Sequence, residues 1–288
     1  MPEPAKRQLP GHITAALAGA GGAADSAGQP WQGRQLPPDA AYHKFGDDDG
    51  RQDRALATAL AALGSGAGDE AAVVRALATA RVFVPVVAEV AQSGVVQSAV
   101  HPGGLVSDKE SDMALVTLEA PDGRRTLPVF SSVESVGRWH PQARPVAVYA
   151  PRAALSAVAE QAQLMVLDPA SDRPFVVRRP AVWALAQQRE WMPSYADPRV
   201  EETLAASLVA AGNPALVRIT ALPGSGAAGR GGSGAELRVE LTLAPGLDQA
   251  ALNALIGTLQ DYWSRHASFA ESVDSVEIAL QTAESPRG

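Results

Sequence analysis

Cysteine is absent from this chain of 288 residues. Its absence excludes disulfides, thiolate zinc sites, iron–sulfur clusters and cysteine nucleophiles. Aromatic residues make up only 5% of the sequence, so we expect cores built mainly from Ala, Val and Leu. No apolar run reaches the length of about eighteen residues that a membrane-spanning helix requires, and the Ala-rich run near the N-terminus is too broken by glycine for a signal peptide. We therefore expect a cytoplasmic protein.

Motifs for catalysis, metal binding and phosphate binding are also missing. The five histidines stand singly, without an HxxxH or HExxH pair, so the sequence predicts no metal site. Neither a phosphate-binding GxxxxGK[ST] loop nor a GxSxG nucleophile turn is present. Residues 224–229 fit G-x-G-x-x-G formally, but they lead into more glycine and a strand, whereas a dinucleotide-binding turn opens a helix. We expect no cofactor and no enzymatic activity.

The charge balance is acidic. Lys and Arg number 24 and Asp and Glu number 31, which gives a formal net charge of −7. Nucleic-acid binding requires a concentrated basic face that releases counterions, so direct contact with nucleic acid is not expected.

Residues 1–50 are rich in Pro, Gly and Ala, which predicts a flexible leader. Its one large side chain is Trp31, followed closely by Arg34. Two interpretations remain open. Trp31 either docks on the first domain, or it anchors a short binding peptide, because a single large apolar side chain can carry much of a weak contact.

Residues 51–190 alternate between short helical and strand patterns, which predicts an α+β domain with a mixed sheet. Residues 82–90 are apolar except for Glu89 and predict a central strand, and residues 91–107 predict an exposed loop. A β-hairpin is expected over residues 113–131, around Pro121-Asp122-Gly123. A helix follows at residues 180–188, on which we expect Trp183 to face inward.

Residues 197–282 predict a second, smaller domain of β-β-α-β order after a first helix. In its long helix Trp263 shares one stripe with Ile256 and Leu259, which indicates a core residue. The glycine-rich segment 224–234 predicts a flexible connector.

Several motifs of the first domain carry a family resemblance as a set. They are VPVVAE at 84–89, SDMALVTL at 111–118, PDGRRTLPVFSSVE at 121–134, RPVAV at 144–148, LDP at 167–169 and RRPAVWALAQ at 178–187. The chain resembles the SseB family, the enhanced serine sensitivity proteins, and residues 197–282 resemble the smaller C-terminal domain of that family more loosely. The resemblance implies a bacterial α+β protein and supplies no catalytic residues.

The polar residues at predicted strand ends form the candidate site. Phe130-Ser131 and Asp168 each follow an apolar strand, and sheets of α/β type gather ligands at the carboxyl ends of their strands. Ser131 also suits a helix cap and Asp168 a turn, and these structural roles are the favoured interpretation. Arg178 and Arg179 begin a helix, where they either solvate its end or bind a carboxylate or phosphate.

Three functions remain open. The first is a non-enzymatic protein that binds another protein through its leader or the loop 91–107, because loops carry recognition on a rigid scaffold. The second is a regulator that binds a small molecule linked to serine metabolism at the strand ends. The third and weaker one is an association with the translation machinery.

Overall fold

The structure is a computed structural model that describes residue 45 and residues 48–88, 113–227 and 234–283. Trp31, Arg34 and the predicted loop 91–107 lie outside the described residues. Residues 49–288 belong to one compact unit, in which an N-terminal half up to about residue 190 is followed by a C-terminal half.

Two capped helices open the N-terminal half. Helix α1 (Arg54–Ser65) begins where the Asp53 carboxylate accepts the Leu56 N–H at 2.9 Å. Helix α2 (Glu70–Leu77) begins in the same way at Asp69, whose carboxylate accepts the Ala72 N–H at 2.7 Å. An Asp at this position satisfies an N–H group that has no partner within the helix.

The first sheet has three antiparallel strands in the order β2-β1-β5. Strand β1 (Arg81–Ala88) is central, as its apolar sequence predicts, with β2 (Met113–Leu115) and β5 (Arg144–Tyr149) on either side. The predicted hairpin over residues 113–131 is therefore only partly correct. Its first three residues pair with β1, and the turn at 121–123 joins two strands of another sheet.

The second sheet has the order β3-β4-β6-β7. Its central strands β4 and β6 are parallel, while the outer strands β3 and β7 are antiparallel to their neighbours. The strands are β3 (Leu118–Glu119), β4 (Arg125–Val129), β6 (Leu164–Leu167) and β7 (Phe175–Val177).

Three further helices complete this half. Helix α3 (Val133–Trp139) follows β4, α4 (Ala150–Ala159) follows β5, and α5 (Arg179–Ala186) follows β7. The core lies between helices α1, α2, α4 and α5 and strands from both sheets. It consists mostly of Ala, Val and Leu, as the low aromatic content predicts.

The C-terminal half places helices on one three-stranded sheet of order β10-β9-β8. Strands β8 and β9 are antiparallel, and β9 and β10 are parallel. The predicted long helix ends early, at Arg265, and a separate short helix follows it. The elements are α6 (Pro198–Ala211), β8 (Leu216–Pro223), β9 (Leu237–Leu243), α7 (Gln249–Arg265), α8 (Ala267–Ser272) and β10 (Val276–Thr282).

Within the described ranges, no helix combines the length and apolar character needed to cross a bilayer.

Trp263 lies in the apolar core of the C-terminal half, as its position on the helix predicts. Its side chain is 3% exposed, stacks 5.8 Å from the Phe269 ring and donates its indole N–H to Ser207 at 2.9 Å. We expect Trp263→Ala to lower the free energy of unfolding by about 3–5 kcal/mol, because it leaves a cavity in a packed core. Denaturant unfolding measures this loss. Trp263→Phe, which keeps most of the volume, should cost less, and equal stability of the alanine variant and the wild type would contradict the assignment.

Candidate functional site

Two of the predicted site residues meet at the end of the second sheet. Because β4 and β6 are parallel, their carboxyl ends reach the same edge. There the Asp168 carboxylate accepts the Ser131 N–H at 2.9 Å. Both residues line a cleft of about 420 Å³, here called the strand-end cleft. Its other polar lining residues include Asp49, Arg51, Ser132, Glu134, Ser135, Arg138 and Ser171.

The third residue predicted there, Phe130, does not reach the cleft. Its side chain is completely buried, and its ring lies 5.3 Å from that of Trp139. Its backbone exchanges two hydrogen bonds of 2.8 Å with Phe83, which links the two sheets of this half. The structure thus places Phe130 in a small core behind the cleft.

Structural roles also explain the residues around the strand ends. Ser132, and not Ser131, caps helix α3, because its hydroxyl oxygen accepts the Ser135 N–H at 3.1 Å. Asp168 has φ of 51°, a left-handed conformation that Asp tolerates better than most residues. Its N–H donates to the Val129 carbonyl, so this residue turns the chain while it holds the end of β4.

Arg178 and Arg179 lie at the other end of the sheet. Strand β7 runs antiparallel to β6, so a residue that follows β7 emerges at the opposite edge from Asp168. The two arginines therefore do not share a site with Ser131 and Asp168.

Arg178 binds a carboxylate, as its position at a helix start allows, but the carboxylate belongs to the same chain. Its guanidinium donates to Asp274 at 3.1 Å. Asp274 also receives two hydrogen bonds from Arg124, of 2.8 and 3.0 Å, and its side chain is 0% exposed. Arg124 and Arg178 come from the N-terminal half and Asp274 from the C-terminal half, so this cluster joins the two. We call it the Asp274 cluster.

The supposed connector 224–234 contributes to the same cluster. The Arg178 guanidinium also donates to the carbonyl oxygens of Gly226 and Gly234. A Cβ atom at Gly226 would collide with the Gly234 carbonyl and with the Arg178 guanidinium, so only glycine fits there. The prediction of a flexible connector is therefore wrong at both ends of the segment, where the chain is packed against Arg178.

Glu236 is the second buried carboxylate beside this cluster. Its two oxygens accept the N–H groups of Ser194 and Asp274, each at 3.1 Å. Complete burial raises the pKa of Glu236 above its ordinary value, and the nearby Asp274 carboxylate adds to the increase, while the two N–H donors oppose it. Burial and the charge of Glu70 and Glu236 likewise raise the pKa of Tyr195.

A second cleft, of about 670 Å³, opens beside the Asp274 cluster. Trp183 of helix α5 and Val158 of helix α4 provide its apolar wall, and we call it the Trp183 cleft. The side chain of Trp183 is 45% exposed, so the prediction that it faces inward is wrong. Polar residues complete the lining, namely Asp122, Arg124, Gln161, Gln163, Arg179, Asp274 and Ser275.

The sequence contains a signal for this exposure that reasoning from the hydrophobic pattern missed. The buried residues of α5 are Pro180, Ala181, Val182 and Leu185, and the last three define one stripe of the helix. Trp183 lies off that stripe, but it stands four residues after Arg179 and so shares a face with it. A position that lies outside the buried stripe of a helix and shares a face with an arginine, as Trp183 does, is expected at the surface.

Among the residues that the structure describes, no three His, Asp or Glu side chains are grouped to hold a metal ion. Neither cleft brings together a nucleophile, a base and an oxyanion-binding group in an arrangement that the described hydrogen bonds support. Polar groups line the strand-end cleft, and an exposed indole and arginines line the Trp183 cleft.

Comparison with known proteins supports the family resemblance. The chain is a mixed α+β protein, and residues 56–184 match the family described as SseB protein N-terminal domain. This match shows an SseB N-terminal domain over these residues. The resemblance of residues 197–282 to the C-terminal domain of the family stays a prediction. No curated protein and no solved structure matched the chain.

The raised pKa of Glu236 predicts a pH dependence of stability. Between the ordinary value of 4.5 and the raised value in the folded state, the folded protein binds more protons at Glu236 than the unfolded chain does. The contribution of Glu236 to stability therefore falls as pH rises through this range, by up to about 1.4 kcal/mol per pH unit. In Glu236→Gln that slope should disappear. Urea unfolding of both proteins from pH 4.5 upward tests this, and equal slopes would contradict it.

Proposed function

We propose that this protein is a non-enzymatic, cytoplasmic bacterial protein that acts by binding another protein. The observation that carries the proposal is the exposed indole of Trp183 in a cleft that two arginines also line. Tryptophan and arginine are the residues most enriched among those that dominate binding energy at protein interfaces. Cover of this half-exposed indole by a partner would remove apolar surface from water, which stabilises a complex.

The chemistry of the Trp183 cleft favours a partner segment with an apolar side chain next to a carboxylate. Val158 and Trp183 form the apolar wall, and Leu155, one turn before Val158 on α4, extends the exposed apolar surface. Arg179 uses one guanidinium nitrogen to bind the carbonyl oxygens of Ala270 and Val273. Its other N–H groups have no hydrogen-bond partner among the described residues, and an arginine donates well to a carboxylate.

We expect Trp183→Ala to abolish capture of the partner from a bacterial lysate. Loss of a central anchor of this type costs about 2 kcal/mol or more, which is roughly a thirty-fold loss of affinity. Titration of the purified partner, or of a peptide from it, against both proteins measures the loss.

Val209→Ala is the matched control, because Val209 is a more exposed apolar residue on helix α6 and does not line the cleft. It should bind the partner like the wild type. Equal affinity of the partner for Trp183→Ala and Val209→Ala would contradict the proposed binding site. A reproducible catalytic activity lost in Trp183→Ala or Arg138→Gln would sink the non-enzymatic assignment.

A second candidate function is the binding of a small molecule in the strand-end cleft. The observation that favours it is that β4 and β6 bring Ser131 and Asp168 together, beside the cation Arg138. A cleft that offers both signs of charge suits a zwitterion such as a free amino acid, which agrees with a role linked to serine metabolism.

For this candidate we expect L-serine or a related amino acid to raise the melting temperature of the wild type. The increase should vanish in Arg138→Gln and persist in Arg152→Gln, since Arg152 is an exposed arginine of α4 outside the cleft. A thermal-shift series over the amino acids measures this by mass action. If no amino acid shifts the melting temperature of the wild type, the second candidate is rejected and the first stands.

A further inference from the structure

Strand β10 presents an edge that the rest of the described chain leaves unpaired. On its other side β10 pairs in parallel with β9 over all seven residues. The Ser275 carbonyl and the Ala283 N–H both point toward β9, so the alternate residues in between, Glu277, Ala279 and Gln281, do so as well. The N–H and C=O groups of Val276, Ile278, Leu280 and Thr282 then point away from β9, and the described residues supply no partner for them.

The other sheet edges carry features that discourage pairing with a further strand. Strand β8 has an irregularity between Leu216 and Arg218 and ends at Pro223. Strand β5 contains Pro145, and β2, β3 and β7 have two or three residues each. Short strands, prolines and bulges are the usual protection against edge-to-edge association. Strand β10 is seven residues long and has no proline, no lysine and no register shift.

Apolar side chains on β10 are also left exposed at this edge. Val276 and Leu280 are 38% and 50% exposed, although their direct neighbours in β9, Leu237 and Leu241, are completely buried. Both lie on the face of the sheet that packs against the helices, at the point where the sheet stops. A further strand beside β10 would cover them.

The sequence of β10 is complementary to itself in the antiparallel direction. With Ala279 opposite its own copy, Ile278 lies opposite Leu280 and Val276 opposite Thr282. The only charged residue of the strand, Glu277, lies opposite Gln281 and not opposite a second glutamate. Glu277 is moreover already paired with Arg238 at 2.7 Å. The backbone groups of Val276, Ile278, Leu280 and Thr282 point away from β9. In this register Ile278 and Leu280, and likewise Val276 and Thr282, form hydrogen-bonded pairs across the two copies.

We infer that β10 is a dimerisation strand, which pairs with β10 of a second copy around a twofold axis at Ala279. The two three-stranded sheets then form one continuous sheet of six strands. This inference concerns a surface separate from the Trp183 cleft and does not depend on the proposed function.

The native mass of the full chain is the first test. Light scattering after gel filtration at micromolar concentration should give twice the chain mass of 29.8 kDa. A monomer at the highest attainable concentration would overturn the inference, and so would a dimer that the substitutions below leave intact.

Leu280→Lys should dissociate the dimer, because it places a charge opposite Ile278 in the new sheet. We expect the dissociation constant to rise roughly tenfold or more, since an uncompensated charge at an interface is costly. Val217→Lys is the control, because Val217 is equally half-exposed but lies on β8, the opposite edge of the sheet. It should leave the dimer intact.

Cysteine crosslinking tests the register, and the chain has no cysteine of its own to interfere. Ala279→Cys places two thiols at a non-hydrogen-bonded pair on the axis, where Cα atoms lie about 4.5 Å apart, within the range of a disulfide. Mild oxidation should convert this variant to a covalent dimer, and Val217→Cys should stay monomeric on a denaturing gel. Equal crosslinking of the two variants, or none in Ala279→Cys, would overturn the proposed pairing.

Discussion

The buried carboxylate of Asp274 is the interaction on which the arrangement of the two halves depends. Arg124 reaches it from the turn between β3 and β4, Arg178 reaches it from the end of β7, and Asp274 itself stands just before β10. Withdrawal of such charges from water costs several kcal/mol per ion, which only close pairing and full hydrogen bonding offset. The cluster meets this condition, since Arg178 also donates to two backbone carbonyls and Arg124 also binds Asp122. Loss of Asp274 would leave the buried guanidinium of Arg178 without the carboxylate that balances its charge.

Residues of the Asp274 cluster also form part of the Trp183 cleft. Arg124 and Asp274 line the cleft and at the same time hold the halves together, while Arg179 fastens the start of α5 to the end of α8 through backbone carbonyls. Because these side chains are already held by hydrogen bonds, the cleft has less conformational entropy to lose when a partner binds. The strand-end cleft is built differently, from turns and caps at the ends of two parallel strands, and it lies at the opposite edge of the second sheet.

Local signals in the sequence predicted most elements, and long-range pairing accounts for most of the errors. The central strand predicted at 82–90 is found at Arg81–Ala88, and the helix predicted at 180–188 is found at Arg179–Ala186, because apolar periodicity acts within a few positions. That Met113–Leu115 joins another sheet depends on contacts with β1, which no local pattern encodes. Of the candidate site, the meeting of Ser131 and Asp168 follows from parallel strands, whereas the placement of Arg178 required the direction of β7. Gly226 and Gly234 resemble a linker in composition, but long-range packing explains them. Gly226 lies against the Arg178 guanidinium, and Gly234 has a φ of 96° and lies against the Ser225 side chain.

The different environments of two tryptophans give the protein a built-in optical probe. The indole of Trp263 is enclosed in an apolar core with its N–H satisfied by Ser207, whereas the indole of Trp183 is half in water. An indole in a polar, relaxing solvent emits at longer wavelength than one in a rigid apolar surrounding. A ligand bound in the cleft would therefore shift the emission of Trp183 to shorter wavelength and leave the emission of Trp263 unchanged. Unfolding would instead move the emission of Trp263 to longer wavelength, so that the direction of the shift distinguishes a ligand in the cleft from a loss of structure.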